Sequence, residues 1–492
     1  MLKSSDAMSL TGPVVAKSLP IAFNAAPAAT PSAVLFAVLA AALLAVLLPC
    51  TAPDAQASDL IAVYRQALAN DAQYASARAA LTAGQEREPQ GRALLMPTLA
   101  IGGSYVRNNN EFSPSGASPS QTGLIDASPA ASVTTSQNQI SATRNINSYN
   151  LTLSQPLFRW ANWQQYEQGK LAVASAEALF AQAQQDLIGR VGQAYFDVLS
   201  AQDNLGVTQA QKVATTEQLA SAKRNFEVGT QTITDTHEAQ AAFDLVVAQE
   251  FAALSDLENR RAVLQTIVGP TLDPAGLAPL RTGVMISRPA PEQVAPWVES
   301  AEQQNYGVIG AQLALELAKR DIERSRAGHY PTLDLVANTG RTDTSNYGRT
   351  NNNAIGVQWS VPLFNGFAVT SRVRESIALE ERARNDLAST RRNAALSARQ
   401  AFLGVNSGLA QVRALEAAEV SSKSALESNQ LGYQVGVRIN IDVLNAQRQL
   451  FTTQKDLARA RYDTIMSGLR LKASAGTLSE ADLMPVNALL VN

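Results

Sequence analysis

Two histidines, His237 and His329, and one cysteine, Cys50, are all the imidazole and thiol chemistry that the 492 residues carry. A structural or catalytic zinc site needs three or four such ligands gathered together, so no Cys/His cluster can be built. His237-Glu238 opens an H-E-x-x-H spacing, but no second histidine completes it. The chain has no G-x-x-x-x-G-K-[ST], no G-x-G-x-x-G and no G-x-S-x-G, so phosphate cradles and nucleophile elbows are absent too. No catalytic residue, metal ligand or cofactor site is expected. Forty Lys+Arg against 42 Asp+Glu leave a net charge of −2, with no basic excess to neutralise phosphates, so nucleic acid is not an expected partner.

The remaining residues suit a structural rather than a reactive design. Apolar residues make up 46% of the chain, yet aromatics are only 6%, and much of the apolar share is alanine. That composition suits long helices packed closely through small side chains better than a thick globular core. Ala33 to Leu48 form 16 uncharged residues preceded by Lys3 and Lys17 and stopped by Pro49, with a small-x-small site at Ala55-Gln56-Ala57. The run is shorter than the ~20 residues of a permanent span, and its order is that of an export signal covering residues 1–57. Pro49 directly before Cys50 fits a lipidation box poorly. Removal of the signal leaves a mature chain without thiols, suited to an oxidising envelope.

Two copies of one unit follow, about 58–280 and 281–492. Met96-Pro97-Thr98-Leu99 recurs as Tyr330-Pro331-Thr332-Leu333, and Gln155-Pro156-Leu157-Phe158 as Val361-Pro362-Leu363-Phe364. Phe226-Glu227-Val228-Gly229 recurs as Tyr433-Gln434-Val435-Gly436, and Gly269 as Gly476. An ordered series of matches at near-constant offset marks a duplication. The extra residues of the first copy fall in the polar stretch Asn108–Asn147.

Each copy reads as a helical segment (Leu60 to about Arg87; Glu292 to about Arg326), two strands, and two long helices joined by a Gly-containing turn. The strands are expected at about 98–108, 148–158, 332–342 and 352–364. Tyr149, Leu151 and Leu153 alternate with Asn150, Thr152 and Ser154, and Ile355, Val357 and Trp359 with Gly356 and Gln358. Such alternation describes either hairpins with one wet face or membrane strands with a lipid face and a lumen face. No proline interrupts the chain between Pro156 and Pro270 or between Pro362 and Pro485. Ala161 to Val228 alone would run ~100 Å as one helix, and it needs a partner, which Ile233 to Val268 supplies by folding back. Four strands cannot close a barrel, and an open edge is not tolerated in lipid, so several chains must pool their strands; three would give twelve and a lumen.

The duplicated P-T-L strand starts, the two Pro-Leu-Phe strand ends, the turns Phe226–Asp235 and Tyr433–Asp442 and the ending Ala475–Leu483 resemble the TolC family of trimeric outer-membrane efflux and secretion proteins, from about Ser58 to Asn487. The resemblance implies an α+β membrane protein: a homotrimer with a 12-stranded β-barrel in outer-membrane lipid, continued by an α-helical barrel in the periplasm. It implies a passive channel-tunnel working with a periplasmic adaptor and an inner-membrane ABC or proton-driven transporter. Type I protein secretion is the expected task and multidrug efflux the alternative. A periplasmic coiled-coil adaptor or a structural coiled coil is the remoter reading; the first would have one hairpin, and the second sustained heptads without duplication.

The resemblance also assigns residues. Thr234 and Asp235 match one side of a polar gate that closes the tips, and Tyr433 and Arg438 the other. Asp442 matches an entrance carboxylate ring; many relatives carry a second Asp one helical turn on, where this chain has Asn445, which weakens the expected cation selectivity. Gly229 and Gly436 end helices because glycine tolerates positive φ, and their small size would let an adaptor approach. His237 is expected as a solvated surface residue near the tip, His329 in a packing or interfacial position, and Trp160 and Trp163 either as membrane-interface anchors or in core packing.

Overall fold

The computed structural model describes residues 58–112, 140–270, 276–281, 283–345 and 347–491. The expected export signal, Cys50 and most of the polar excess of the first repeat lie outside them.

Each repeat begins with short helices: α1 (Leu60–Asn70), α2 (Ala72–Gln85) and α3 (Arg87–Ala93) in the first, α6 (Val294–Gln304) and α7 (Tyr306–Arg326) in the second. Sequence patterning suggests one continuous segment in each place, and the chain instead breaks it at a polar residue. Asp71 adopts an extended backbone and its carboxylate accepts from the Tyr74 N–H at 2.6 Å, capping α2. Asn305, separated from Asp71 by the same interval that separates Met96 from Tyr330, caps α7 by accepting from the Gly307 N–H at 2.9 Å. A side-chain acceptor at an N-cap satisfies a helical donor that otherwise has no partner, so the break costs little.

The strands are β1 (Thr98–Phe112), β2 (Ile140–Phe158), β3 (Thr332–Thr344) and β4 (Gly348–Ser360), in the order β1-β2-β3-β4 and antiparallel throughout. The β2–β3 ladder welds the two repeats into one sheet, with β1 and β4 as its edges. Most strands run farther than patterning suggests. β4 is shifted: it starts at Gly348 and stops at Ser360, so Val361–Phe364 lie beyond it. Pro362 has no N–H to donate, and the ladder ends before it; in β2 the matching Pro156 is kept within the strand by a register shift between Pro156 and Phe158. Arg159 anchors this seam through a two-pronged contact with Asp334, Nε to Oδ1 at 2.8 Å and Nη2 to Oδ2 at 2.7 Å.

The long helices are α4 (Trp160–Glu227, 68 residues), α5 (Ile233–Val268), α8 (Ala368–Gln434, 67 residues) and α9 (Asn440–Ser474). At ~1.5 Å per residue, α4 and α8 each measure about 100 Å. α4 pairs with α5 and α8 with α9, and α9 also packs along α4. The main core lies midway along these hairpins. Leu187, Ile188, Val191, Tyr195, Val198 and Leu199 present one stripe of α4 at helical spacing to α1, α5 and α9. The C-terminal short helix α10 (Leu483–Asn487) and Leu490 close that core. Among the described residues no helix is long and apolar enough to cross a membrane.

Candidate functional site at the helix tips and the sheet

Both hairpins turn in the same way. At the first tip the Gly229 N–H donates to the Phe226 carbonyl and the Thr230 N–H to Asn225, at 3.0 and 2.9 Å. At the second, the Gly436 N–H donates to Tyr433 and the Val437 N–H to Gly432, at 3.1 and 2.8 Å. Gly229 and Gly436 have φ of 77° and 80°, left-handed conformations that favour glycine. A Cβ at either position would meet no atom within 4 Å, so backbone conformation rather than crowding requires the glycine.

The starts of the return helices differ. Thr232 and Asp235 form a reciprocal capping box at the head of α5: the Asp235 N–H donates to Thr232 Oγ1 at 3.3 Å, and the Thr232 N–H to Asp235 Oδ2 at 3.1 Å. α9 begins after Ile439, which supplies no side-chain cap.

Within one protomer, the expected gate residues are held apart by these local bonds. The Asp235 carboxylate is engaged by Thr232, Thr234 is exposed, and Arg438 Nη1, in the turn before α9, lies 3.7 Å from Asp442 in the first turn of that helix. Tyr433 does reach across: its hydroxyl accepts from Asn225 Nδ2 at 3.4 Å and from Gln231 Nε2. The other cross-link is Asn440, which is fully buried. Its Nδ2 donates to the Asp235 carbonyl at 3.1 Å and its Oδ1 accepts from Gln218 at 2.6 Å. Asn440 and Gln218 escaped the sequence reading because neither stands out by type. Asp442 lies in the first turn of α9, where a carboxylate complements the positive end of the helix, and Asn445 follows one turn later. His237 is exposed near the tip.

Away from the tips, Asp71, Asp334 and Glu380 are buried carboxylates and Asp203 is half-buried. Asp71 is buried and accepts from both Nη nitrogens of Arg190 at 2.8 and 3.0 Å, which holds its carboxyl below the usual range. Asp203 accepts from the Tyr462 hydroxyl at 2.7 Å, and burial pushes its carboxyl up. Neither site gathers a nucleophile, a base and an open pocket.

The sheet has two unlike faces. Register places Leu99, Ile101, Tyr105, Leu151, Val357 and Trp359 on one face, all exposed in the protomer. Ser104, Ser148, Asn150, Thr152, Asn338 and Asn352 lie on the other. Trp359 stands eight residues below the Tyr149 level on this apolar face, about 26 Å along a strand and ~20 Å in height at a ~40° tilt, most of the height of a bilayer band edged by aromatics. Trp359 was not singled out as an anchor, although its place in the alternating run was legible. Trp160 is half-buried, Trp163 is exposed and packs edge-on against Tyr166, and His329 is exposed rather than packed.

A sheet that is oily on one face and polar on the other, carried on paired helices of about 100 Å, is the protomer architecture of an outer-membrane channel. The outer membrane efflux protein family matches the chain over residues 63–270 and 297–477. The chain is 34% identical over 439 residues to the outer membrane protein TolC of Vibrio cholerae serotype O1, covering 88% of this chain and 94% of that one. It is 31% identical to the alkaline protease secretion protein AprF of Pseudomonas aeruginosa, covering 89% of each. The crystal structure of the outer membrane protein VceC from Vibrio cholerae superposes with a TM-score of 0.68 at 18% identity, covering 85% of this chain and 96% of that one. The chain belongs to the outer membrane efflux protein family. It is an outer-membrane channel protein, with its sheet in the membrane and its helical hairpins in the periplasm.

Proposed function

We propose that three copies of this chain close a 12-stranded barrel and a continuous helical tunnel, and that this conduit exports protein substrates in a type I secretion system. The observation that carries the reading is the open sheet: β1 and β4 each have one neighbour within the protomer, and unpaired edges are not sustained in lipid. Pooling with identical neighbours satisfies both edges at once. The energy for export comes from an inner-membrane ABC transporter, coupled through a periplasmic adaptor. The similarity to a protein named for alkaline protease secretion favours protein cargo.

The tips are the docking and gating end. Val228, Val435, Val437 and Ile439 are exposed apolar residues clustered around the two turns, a surface suited to a partner helix. Gly229 and Gly436 keep that surface low. Thr234, Asp235, Tyr433 and Arg438 make the polar contacts that hold the assembled tips closed, and three copies of Asp442 form a single carboxylate ring at the entrance. An export assay in a strain lacking the protein, run with a protease substrate and with small drugs, tests the assignment. Restored protease export without drug resistance supports it. Restored drug resistance alone favours the second reading, multidrug efflux with a proton-driven pump, towards which the similarity to a protein named as an efflux protein points.

A further inference from the structure

The outward ends of the strands carry arginines on the lipid face. The strand ends at Thr98, Phe158, Thr332 and Ser360 lead to the helices, so the Thr344–Gly348 end points away from the periplasm. Ascending the apolar face, the aliphatic positions give way to a level that holds Tyr149 and Arg341, then to one that holds Tyr105, Asp343 and Arg349, and then to Arg107. Arg341 pairs across the ladder with Tyr149, and Arg349 with Asp343, which places them on the same face as Leu99 and Ile101. Arg349 stands ten residues from Trp359, about 33 Å along the strand, which is the outer interface once strand tilt is included.

Two of the three guanidiniums, those of Arg341 and Arg349, share one carboxylate. Asp343 accepts from Arg341 Nε at 3.2 Å and from Arg349 Nε at 2.8 Å, and neither bond uses a terminal Nη nitrogen. Asp343 therefore orients both side chains while leaving their forks directed at whatever lies outside. An open groove of about 400 Å³ adjoins Arg341, lined also by Ile101, Tyr149, Leu151, Asn351 and Asn353. Apolar and aromatic walls beside oriented guanidiniums match an amphiphile whose acyl chain meets the groove and whose phosphate meets the arginines.

We infer that Arg341 and Arg349, set by Asp343, form with Arg107 and the Tyr149 groove a binding site for the phosphorylated headgroup of an outer-leaflet lipid of the lipopolysaccharide class. The inference rests on the outward orientation of the sheet and not on which cargo the channel carries.

The full-length assembly, purified in detergent, is offered lipid A bearing two phosphates, the same lipid A enzymatically dephosphorylated, or dioleoyl phosphatidylglycerol, and bound lipid is counted by native mass spectrometry. Wild-type protein is expected to retain lipid A at least about 10-fold more tightly than the dephosphorylated form. Arg341→Gln/Asp343→Asn/Arg349→Gln is expected to weaken lipid A binding about 30-fold. Arg144→Gln, on the polar face, is expected to leave it unchanged. Equal retention of dephosphorylated lipid A, unchanged binding by the triple variant, or an equal loss in the Arg144 variant overturns the site. Phosphatidylglycerol binding as tightly as lipid A overturns its assignment to lipopolysaccharide. If the triple variant does not assemble, the comparison of the two lipid A forms on wild-type protein decides. Planar-bilayer conductance of the same preparations separates this result from the channel reading: a conducting assembly that ignores lipid phosphate refutes the lipid site alone.

Discussion

Asn440 at the head of α9 donates to the Asp235 carbonyl at the head of α5, fastening the return helices of the two repeats to each other 3.1 Å apart at the tip. Its other amide atom accepts from Gln218, so one buried side chain holds three helices. Asn440→Ala removes both bonds and leaves the Gln218 donor unpaired. The expected cost is about 1–3 kcal/mol, seen as a lower unfolding temperature of the assembly. The closed state loses the same support, so single-channel conductance in a planar bilayer rises. Unchanged conductance and stability would remove Asn440 from the fastening.

Arg438→Ala tests the gate itself. Within the protomer Arg438 contacts Asp442 at 3.7 Å, an exposed pair worth about 0–1 kcal/mol, too weak alone to hold a channel shut. If Arg438 also makes the closing contacts of the assembled tips, its removal raises conductance clearly. If the local pair is its whole role, conductance stays at the wild-type value and the gate assignment fails.

Gly476 ends α9 with φ of 76°, and a Cβ there would sit 2.2 Å from the Gln304 carbonyl oxygen at the end of α6. Both the backbone angle and the collision oppose substitution, and the obstacle is main chain. Gly476→Ala is expected to cost more than about 2 kcal/mol and to cut the amount of assembled protein in the membrane. Gly436→Ala, with a similar φ but open space, costs about 1 kcal/mol. Equal effects of the two, in thermal melts of the purified protein, would contradict the close approach.

Asp71 gives a pH signature. Arg190 lowers its carboxyl in the folded state, so the unfolded chain binds this proton more readily. Its stabilisation is complete above about pH 4 and is lost as the pH falls through the folded value. Asp71→Asn keeps a capping acceptor but loses the charge, and it should flatten the acid limb of the stability profile below pH 4. A wild-type slope in urea melts between pH 5 and pH 2.5 would assign the acid sensitivity to other carboxylates.

Helices and turns were legible because they depend on local chemistry. The long proline-free runs read as helix, and α5 occupies Ile233–Val268 because Gly229 and Thr232 punctuate its start and Gly269 its end. The alternation around Tyr149 and Ile355 marked strands and their faces. What escaped depends on a partner far along the chain. Asp71 and Asn305 look like ordinary polar residues inside helical segments until the break is seen, and Arg159 and Asp334 are 175 residues apart. The Arg438–Asp442 spacing of four was visible in the sequence, and the two side chains pair within the protomer, a contact that the family pattern did not point to. The second Pro-Leu-Phe resembles the first, yet only the first stays within its strand, a difference set by neighbouring strands.

The unequal heads of α5 and α9 give the tip a direction of yielding. A reciprocal box locks the first turn of α5, whereas α9 starts at bare Ile439 and has its first-turn donors met by no side chain of that residue. The head of α9 depends instead on the buried Asn440 and its bonds to Asp235 and Gln218, so parting the two return helices would release the start of α9 before that of α5. If the tips open as proposed, the yielding side would be the second repeat's, and in a trimer only three of the six hairpins would have to move.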